Sequence, residues 1–347
     1  MSADASGLLE MSMDLAIDVG TASIRVAERG GVVLDEPAIA AVDADSGRLL
    51  AFGAEALSTG AASAGRVRLV RPVRHGQLAD LGLAEELLAA LLRRAGATRR
   101  GRPRVLCCVH TDATAVQRRA TKRALEQASA RTVRFLELPL AVAIGAGIAI
   151  EEPTGSMVLE IGAATADVAV LALGGMVTSA TVSQGAEDFE TAVRSLLARR
   201  HGLVVDQATA REVLAMIGTV DPAAAEARVE VLGHDRATGR PAAAVLRRSE
   251  LRRALEEHLE PVLSAALRCI SESPPDLAND LLGAGLVLAG GASRLDGIAA
   301  RVAAATGVSV YPAADARCCA VLGAARCLAW LDEIPTAGDE PRWSLSR

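Results

Sequence analysis

Ser156-Met-Val-Leu-Glu-Ile-Gly-Ala-Ala-Thr-Ala-Asp-Val-Ala-Val-Leu171 is the stretch from which the rest of the chain can be read. Its two apolar runs, Met157 to Ile161 and Val168 to Leu171, suit buried strands. Between them lies a short turn of small residues with a carboxylate on each side, which predicts a hairpin with an acidic tip. Such a tip lets backbone N–H groups approach an anion, and a nearby carboxylate can hold the metal that accompanies a polyphosphate. Asp14-Leu-Ala-Ile-Asp-Val-Gly-Thr-Ala-Ser-Ile-Arg-Val26 repeats the order of strand, acid, glycine, small turn and strand. One hairpin of this kind is also what ordinary turn chemistry produces. Two copies, roughly half a chain apart, imply two similar domains whose tips face each other across a cleft. A further Gly-rich turn, Leu286-Val-Leu-Ala-Gly-Gly-Ala-Ser293, follows a strand-like run and precedes a helix-like segment, as a nucleotide-binding turn does.

With 347 residues, 51% of them hydrophobic, the chain can fill two cores of ordinary size. Aromatics make up only 2%, so those cores are built from Ala, Val, Leu and Ile, and base stacking on exposed aromatic rings is an unsuitable mode of action. A net charge of −5 without a long basic run argues against nucleic acid as a partner. Lys122 is the only lysine. The cysteines, Cys107, Cys108, Cys269, Cys318, Cys319 and Cys327, include no C-x-x-C pair and suit a reduced, cytoplasmic chain. Cys107, Cys108 and His110 invite a metal reading, but they sit on an apolar strand and a structural zinc site needs a fourth ligand. The start, Met-Ser-Ala-Asp-Ala-Ser-Gly, has no basic region or long apolar run, so no secretory leader is expected. No uninterrupted apolar run suits a spanning helix.

Residues 1–13 read as a tail in which Leu8, Leu9, Met11 and Met13 form one turn of a weak amphipathic element. Residues 14–150 read as the first domain, with a small inserted lobe of strands and turns at about 32–75. Helices are expected at Leu83 to Arg94 and Thr114 to Ala128, and strands at Val105 to Val109 and Val133 to Leu138. The Ala-rich run Pro139 to Ile148 suits close packing in the middle of the molecule. Residues 151–330 read as the second domain, with a helix from Ala186 to Arg200 and an inserted lobe at about 190–248. A long helix from Ser249 to Ser271, capped by Ser249, precedes a break at Pro274-Pro275. The strand Gly285 to Ala289 and helices Leu295 to Thr306 and Cys319 to Trp330 close the domain, the last helix packing back on the first domain, and 331–347 read as a second tail. The fold class is α/β, two related domains each with a central mixed sheet and a nucleotide cleft between them.

Residues throughout this plan carry a family resemblance. Ile17-Asp-Val-Gly-Thr-Ala-Ser23, Glu36-Pro37, Arg71-Pro72 with Gly76 and Asp80, Ala143-Ile-Gly-Ala-Gly147, Glu151-Glu-Pro-Thr-Gly-Ser-Met157, Leu173-Gly-Gly-Met-Val-Thr-Ser179, Pro274-Pro-Asp-Leu-Ala278 and Val321-Leu-Gly323 resemble the MreB/Mbl rod shape-determining family of bacterial actin homologues. The match runs from about residue 14 to 330 and includes loops with no nucleotide role, which makes it specific for this family among actin-like ATPases. The resemblance implies an actin-like ATPase fold of four subdomains with ATP and Mg²⁺ in the central cleft. It also implies filaments of self or paralogous subunits at the inner face of the cytoplasmic membrane, working with cell-wall elongation and morphogenesis proteins. By position, Gly20, Thr21, Ala22 and Ser23 would meet the phosphates, and Asp18 would orient metal-bound water. Gly162, Ala163, Ala164 and Thr165 would form the second tip, with Glu160 beside the metal. Arg211, Glu212 and Leu214 would approach the nucleoside, and Gly290, Gly291, Ala292 and Ser293 would line the adenosine pocket.

The departures from the family pattern fall on the chemistry. Where the family has Asp-Ile-Gly-Gly-Gly-Thr-Thr, this chain has Glu160-Ile-Gly-Ala-Ala-Thr-Ala166, so two glycines have gained methyl groups near phosphate. An alanine forced to positive φ there would carry strain of about 1 to 2 kcal/mol. Glu160 is a methylene longer than Asp, which moves its carboxylate about 1.5 Å further out. Glu137-Leu138-Pro139 stands where the family has Glu-Glu-Pro, and Leu138 cannot position an attacking water. A group of that kind contributes about 10² to 10⁴-fold in rate, so hydrolysis is expected to be weak unless Glu137 substitutes. Leu214 occupies the position of a nucleoside-binding lysine.

The functional expectation is a filament-forming or filament-joining protein of the cell-shape apparatus, with ATP as assembly ligand and peripheral membrane contact. A non-polymerising actin-fold scaffold is the alternative. A small-molecule kinase of the same superfamily would need a catalytic acid near an acceptor pocket, and none stands outside the phosphate turns. A chaperone-type ATPase would need a substrate-binding module after the second domain, and the residues after 330 are too few for one.

Overall fold

The computed structural model describes residues 13–62, 65–97, 101–332 and 334. The chain opens as an antiparallel meander of β1 (Asp14–Val19), β2 (Ser23–Glu28) and β3 (Gly31–Pro37). A small lobe follows, made of β4 (Ala40–Asp43), β5 (Leu49–Phe52), α1 (Ala54–Ala62) and β6 (Val67–Val70), then a short hairpin of β7 (Val73–Arg74) and β8 (Gln77–Leu78). The first half is completed by α2 (Leu81–Arg94), β9 (Arg104–Val109), α3 (Ala115–Gln127), β10 (Thr132–Glu137) and α4 (Leu138–Ala146). In the second half β11 (Ser156–Ile161), β12 (Ala166–Ala172) and β13 (Gly175–Val182) form another meander. It leads through α5 (Ala186–Arg200), β14 (Leu203–Val204), α6 (Gln207–Ile217), β15 (Arg228–Asp235) and β16 (Pro241–Arg247) to the long α7 (Arg248–Glu272). Then come α8 (Pro275–Ala284), β17 (Leu286–Ala289), α9 (Ile298–Thr306), β18 (Val310–Pro312) and α10 (Cys319–Cys327).

The duplication read from two hairpins extends to whole sheets. Their strand orders are β10-β9-β1-β2-β3 and β13-β12-β11-β17-β18. In each, the first strand of the meander pairs antiparallel with the second and parallel with a later strand, β1 with β9 and β11 with β17. One more parallel strand, β10 or β18, extends each sheet. The parallel pairings place β1 and β11 centrally, where both faces are covered, and such strands read as continuous apolar runs rather than alternating ones. β12 is the extreme case, buried at every position.

Three large cores result. One fills each domain, and a third lies between the two sheets, joining Ala16 and Leu106 to Val158 and Leu171 through α4 and α10. These two helices approach backbone to backbone: a methyl at Gly145 would overlap the Cys319 carbonyl, and one at Gly323 the Ala141 carbonyl. Small residues at this crossing are therefore a packing requirement, as the Ala-rich run suggested.

Some local expectations are corrected. α7 begins at Arg248 after an Arg247 cap position, with the Glu250 carboxylate accepting the Arg247 N–H at 3.2 Å, so Ser249 is not the cap. Leu138 opens α4 rather than ending β10, because Pro139 suits a first helical turn. Part of the Gly, Ala and Ser stretch after Leu57 is helical, in α1. Met13 is packed in the first domain's core, which removes it from any amphipathic membrane element; Leu8, Leu9 and Met11 lie outside the described residues.

Candidate functional site

The two hairpin tips are built alike. In the first, the Gly20 N–H donates to the Ser23 carbonyl at 3.1 Å, and in the second the Gly162 N–H donates to the Thr165 carbonyl at 2.8 Å. A Cβ on Gly20 would stand 2.9 Å from Ser23 O, too close to fit without a shift, and one on Gly162 a tight 3.2 Å from Thr165 O. The second tip is braced by the start of α5, where Ala186 N–H donates to Gly162 O at 3.1 Å and Glu187 N–H to Ala163 O at 2.8 Å. Behind it, Gly290 has φ +88 and so little room that a methyl would overlap the Ile161 carbonyl. The third turn thus abuts the second hairpin. Neither Ala163 nor Ala164 has positive φ, so the strain considered for them does not arise.

Between the tips lies a cavity of about 440 Å³. Of the residues singled out in the sequence, Asp18, Gly20, Thr21, Ala22, Ser23, Leu138, Glu160, Gly162, Ala163, Thr165, Gly291 and Ala292 line it. Ala164 is buried, and Ser293 Oγ donates to Gly290 O at 2.7 Å within the third turn. Arg211, Glu212 and Leu214 are not part of the lining: on α6, Arg211 Nε pairs with Glu190 Oε1 at 2.5 Å, Glu212 is exposed and Leu214 packs on the second core. Glu137 is buried, with Arg118 Nη1 donating to its carboxylate at 3.2 Å.

The hairpins differ in charge. Register places Asp18 opposite Arg25 in the first and Glu160 opposite Asp167 in the second. Arg25 Nη1 donates to Asp18 Oδ2 at 3.3 Å while its Nε lies 3.2 Å from Asp35 Oδ1, and Arg317 Nη2 donates to Asp35 Oδ2 at 3.1 Å. In the second hairpin two acids face each other, an arrangement that is destabilising when both are charged. The cation there comes from the other domain. His110, just after β9, places Nδ1 2.6 Å from Oδ2 of Asp167, which is 0% exposed. Thr181 Oγ1 donates to Asp167 Oδ1 at 2.7 Å, and Thr111 Oγ1 lies 3.0 Å from Thr181 Oγ1, again across the cleft.

These surroundings set the protonation states. Burial opposes charge on His110, but the charge and hydrogen bond of Asp167, with Glu160 and Asp18 beyond, push its pKa up to about 9. Burial, followed by the charges of Asp167 and Asp18, pushes Glu160 up to about 8. Burial also raises Asp18, against the pull of Arg25. These shifts favour the imidazolium form of His110 and the protonated form of Glu160. A hydrated Mg²⁺ beside phosphates is held by ionised carboxylates. Arg25 binds Asp18 through Oδ2 alone and Glu160 lines the same cavity, so Asp18 and Glu160 are the residues that would stand beside such an ion.

The β7–β8 turn closes one side of the cleft. Gly76 N–H donates to Thr21 Oγ1 at 3.0 Å, and His75, with φ +48, brings Nδ1 3.2 Å from Ala164 O. Gly76 has φ +66, and a methyl on it would overlap the His110 ring. Arg71 adds an ion pair to Glu187 at 3.6 Å. Sequence reading missed the roles of His75, His110, Arg25 and Thr181. It weighed His110 only as a metal ligand beside Cys107 and Cys108, whose thiols are buried and pushed up by that burial. The available signals were the second carboxylate of the tip, Asp167, and Arg25 in the strand facing Asp18.

Comparison with known proteins completes the description. The sequence model of the family described as MreB/Mbl protein matches residues 12–336. The chain is 35% identical over 328 residues to the cell shape-determining protein MreB of Escherichia coli (strain K12), covering 92% of this chain and 94% of that protein. It is 32% identical over 324 residues to the cell shape-determining protein Mbl of Bacillus cereus (strain ATCC 10987 / NRS 248), covering 93% and 97%. Its fold superposes with a TM-score of 0.86 on MreB5 of Spiroplasma citri bound to AMPPNP, at 25% identity over 93% of this chain and 98% of that one. The MamK double helical filament shares the fold at a TM-score of 0.76 and 20% identity, over 93% of this chain and 100% of that chain. The fold is actin-like.

Proposed function

The chain belongs to the MreB/Mbl family, and from that premise we propose that it is a nucleotide-binding cytoskeletal subunit that forms or joins filaments and helps to organise cell-wall synthesis and cell shape. The observation that carries this reading is the pair of like-built tips, Gly20–Ser23 and Gly162–Thr165, lining one cavity between the two sheets. A nucleoside polyphosphate suits such a cavity because tight glycine tips let backbone N–H groups approach an anion. The MreB5 structures of Spiroplasma citri with AMPPNP and with ADP support that ligand class. Turnover is weak in this reading. Leu138 lines the cavity where the family has a glutamate, and the Glu137 carboxylate is bound by Arg118.

The test is sedimentation of the purified chain with and without ATP, alongside phosphate release. Nucleotide-dependent pelleting with slow release is the expected result; turnover like that of an active bacterial actin would defeat the claim of weak hydrolysis. A non-polymerising scaffold is the second reading, favoured by the bonds that His75, His110 and Thr111 already make across the cleft. It predicts no pelleting in either buffer. Peripheral contact with the inner face of the cytoplasmic membrane falls to the residues before Met13, since Met13 is in the core. Flotation with anionic liposomes, comparing the full chain with one beginning at Met13, tests that contact. No helix among the described residues is long and apolar enough to cross a membrane.

A further inference from the structure

We propose that His110 and Thr111 latch the two halves together across the cleft in the free and the nucleotide-bound chain alike, so that nucleotide enters and leaves only when this latch opens. The inference rests on the nucleotide reading above and adds to it what limits exchange.

The latch is built from well-held parts. On the first domain, His110 and Thr111 follow directly on β9, in a turn closed by Ala113 N–H donating to His110 O at 3.1 Å and ended by the Thr114 cap of α3. On the second domain, Asp167 and Thr181 are ladder partners of β12 and β13. Two consecutive residues of the turn thus engage two paired residues of the sheet. His110 Nδ1 lies 2.6 Å from Asp167 Oδ2, and Thr111 Oγ1 lies 3.0 Å from Thr181 Oγ1. Thr181 Oγ1 also donates to Asp167 Oδ1 at 2.7 Å, which joins the two contacts into one network. Behind the His110 ring stands the β7–β8 turn, where Gly76 has no room for a methyl and His75 brings Nδ1 to 3.2 Å from Ala164 O of the second tip.

Asp167 is 0% exposed, and a hydrogen bond to a carboxylate shielded from water is among the stronger kinds. Every member of the network is a protein group, so it favours the closed arrangement over the open one by the same factor with and without ligand. A polyphosphate between Gly20–Ser23 and Gly162–Thr165 is held by tips on opposite halves, and it is released when those tips separate. Weakening the latch raises the open population of the free and the bound chain equally. Association and dissociation then accelerate together, and affinity stays where it was. A contact made only around the ligand behaves otherwise: its loss speeds dissociation alone and weakens affinity by the same factor.

Stopped-flow fluorescence on the dilute full chain tests this, with ADP labelled on its ribose by a methylanthraniloyl group bound first and then chased with excess unlabelled ADP. Thr111 is not part of the cavity lining, so Thr111→Val reads the latch alone. Both rate constants are expected to rise by about threefold to tenfold, the weight of one hydrogen bond, with Kd within about threefold of wild type. Thr111→Ser, which keeps the hydroxyl, is expected to keep the wild-type rates. His110→Leu is expected to raise both rates by about tenfold or more, and if that chain does not fold, Thr111→Val decides. Faster dissociation with unchanged association in Thr111→Val overturns the inference, as do unchanged rates in a Thr111→Val chain with wild-type circular dichroism. Absence of binding by the labelled ADP overturns the nucleotide reading and the inference with it.

Discussion

The β1–β2 and β11–β12 hairpins share strand pairing, tip hydrogen bond and tip glycine, yet they solve their electrostatics in different ways. The first neutralises itself, with Arg25 facing Asp18 across the ladder. The second places Glu160 opposite Asp167 and depends on His110 from the other domain. The lesson is that a duplicated fold need not duplicate its energetics. Whether the second hairpin is electrostatically satisfied depends on the cleft being closed, while the first hairpin is indifferent to it.

The largest test of this asymmetry is His110→Ala. It leaves Asp167 buried without its cation, and the expected loss of stability is about 3 to 5 kcal/mol by denaturant unfolding. Converting both partners, His110→Leu with Asp167→Val, is expected to recover most of that loss, because no orphaned charge remains. A double variant as unstable as the single one would show that the ion pair is not the cause.

The pH dependence comes next. A histidine whose folded pKa of about 9 exceeds its ordinary 6.5 contributes stability that is fully present below 6.5 and is lost as pH rises through 9. The span corresponds to something on the order of 3 kcal/mol. Glu160 acts in the same direction, since an acid raised to about 8 favours the folded state while protonated and loses that contribution as pH climbs from 4.5 through 8. Thermal melting should therefore show a lower midpoint at pH 9.5 than at pH 6, and His110→Ala should reduce the fall above pH 6.5, leaving only the part due to Glu160. A wild-type midpoint that rises over this range would contradict the assignment.

Arg25→Leu should be milder, about 1 to 2 kcal/mol, because Asp35 keeps Arg317 and Asp18 keeps partial access to water. Smallest of all is Ala163→Gly with Ala164→Gly. Neither residue has positive φ, so glycine relieves no strain, and nucleotide affinity should change by less than about 1 kcal/mol in calorimetry. A large gain in affinity would mean that the methyl groups, rather than the charges, limit the second tip.

Much of this architecture was legible in the sequence because it is local. Apolar runs around a small turn predict each hairpin, and Gly20 and Gly162 each open a tip closed by a bond within a few residues. Asp80 and Thr114 cap α2 and α3 just as locally, each accepting an N–H three residues ahead at 3.0 and 3.3 Å, although the sequence reading began the first helix at Leu83 and counted Thr114 within the second. The pairing of His110 with Asp167 is a different kind of fact, since it joins residues 57 apart and exists only once two domains have met. Nothing in the Val105–Val109 run marks the residue after it as a counter-ion. The same applies to α6, where motif position suggested a nucleoside contact but Arg211 is held by Glu190, one helix away. Ser249 failed as a cap for a simpler reason: Glu250 supplies the capping carboxylate one turn into the helix, and a capping-type residue near a boundary does not fix the boundary.

The meeting of Gly145 and Gly323 bears on how the two halves are expected to move. At this crossing the two backbones meet with no room for a methyl, and Cys319 Sγ reaches across from α10 to Val142 O at 3.3 Å, so the expected pivot for relative motion of the halves runs through that contact. Displacement then grows with distance from the pivot, and a single carbon added at either glycine acts as a wedge. Gly323→Ala should leave the particle measurably wider in small-angle scattering, with its halves propped apart whatever the ligand.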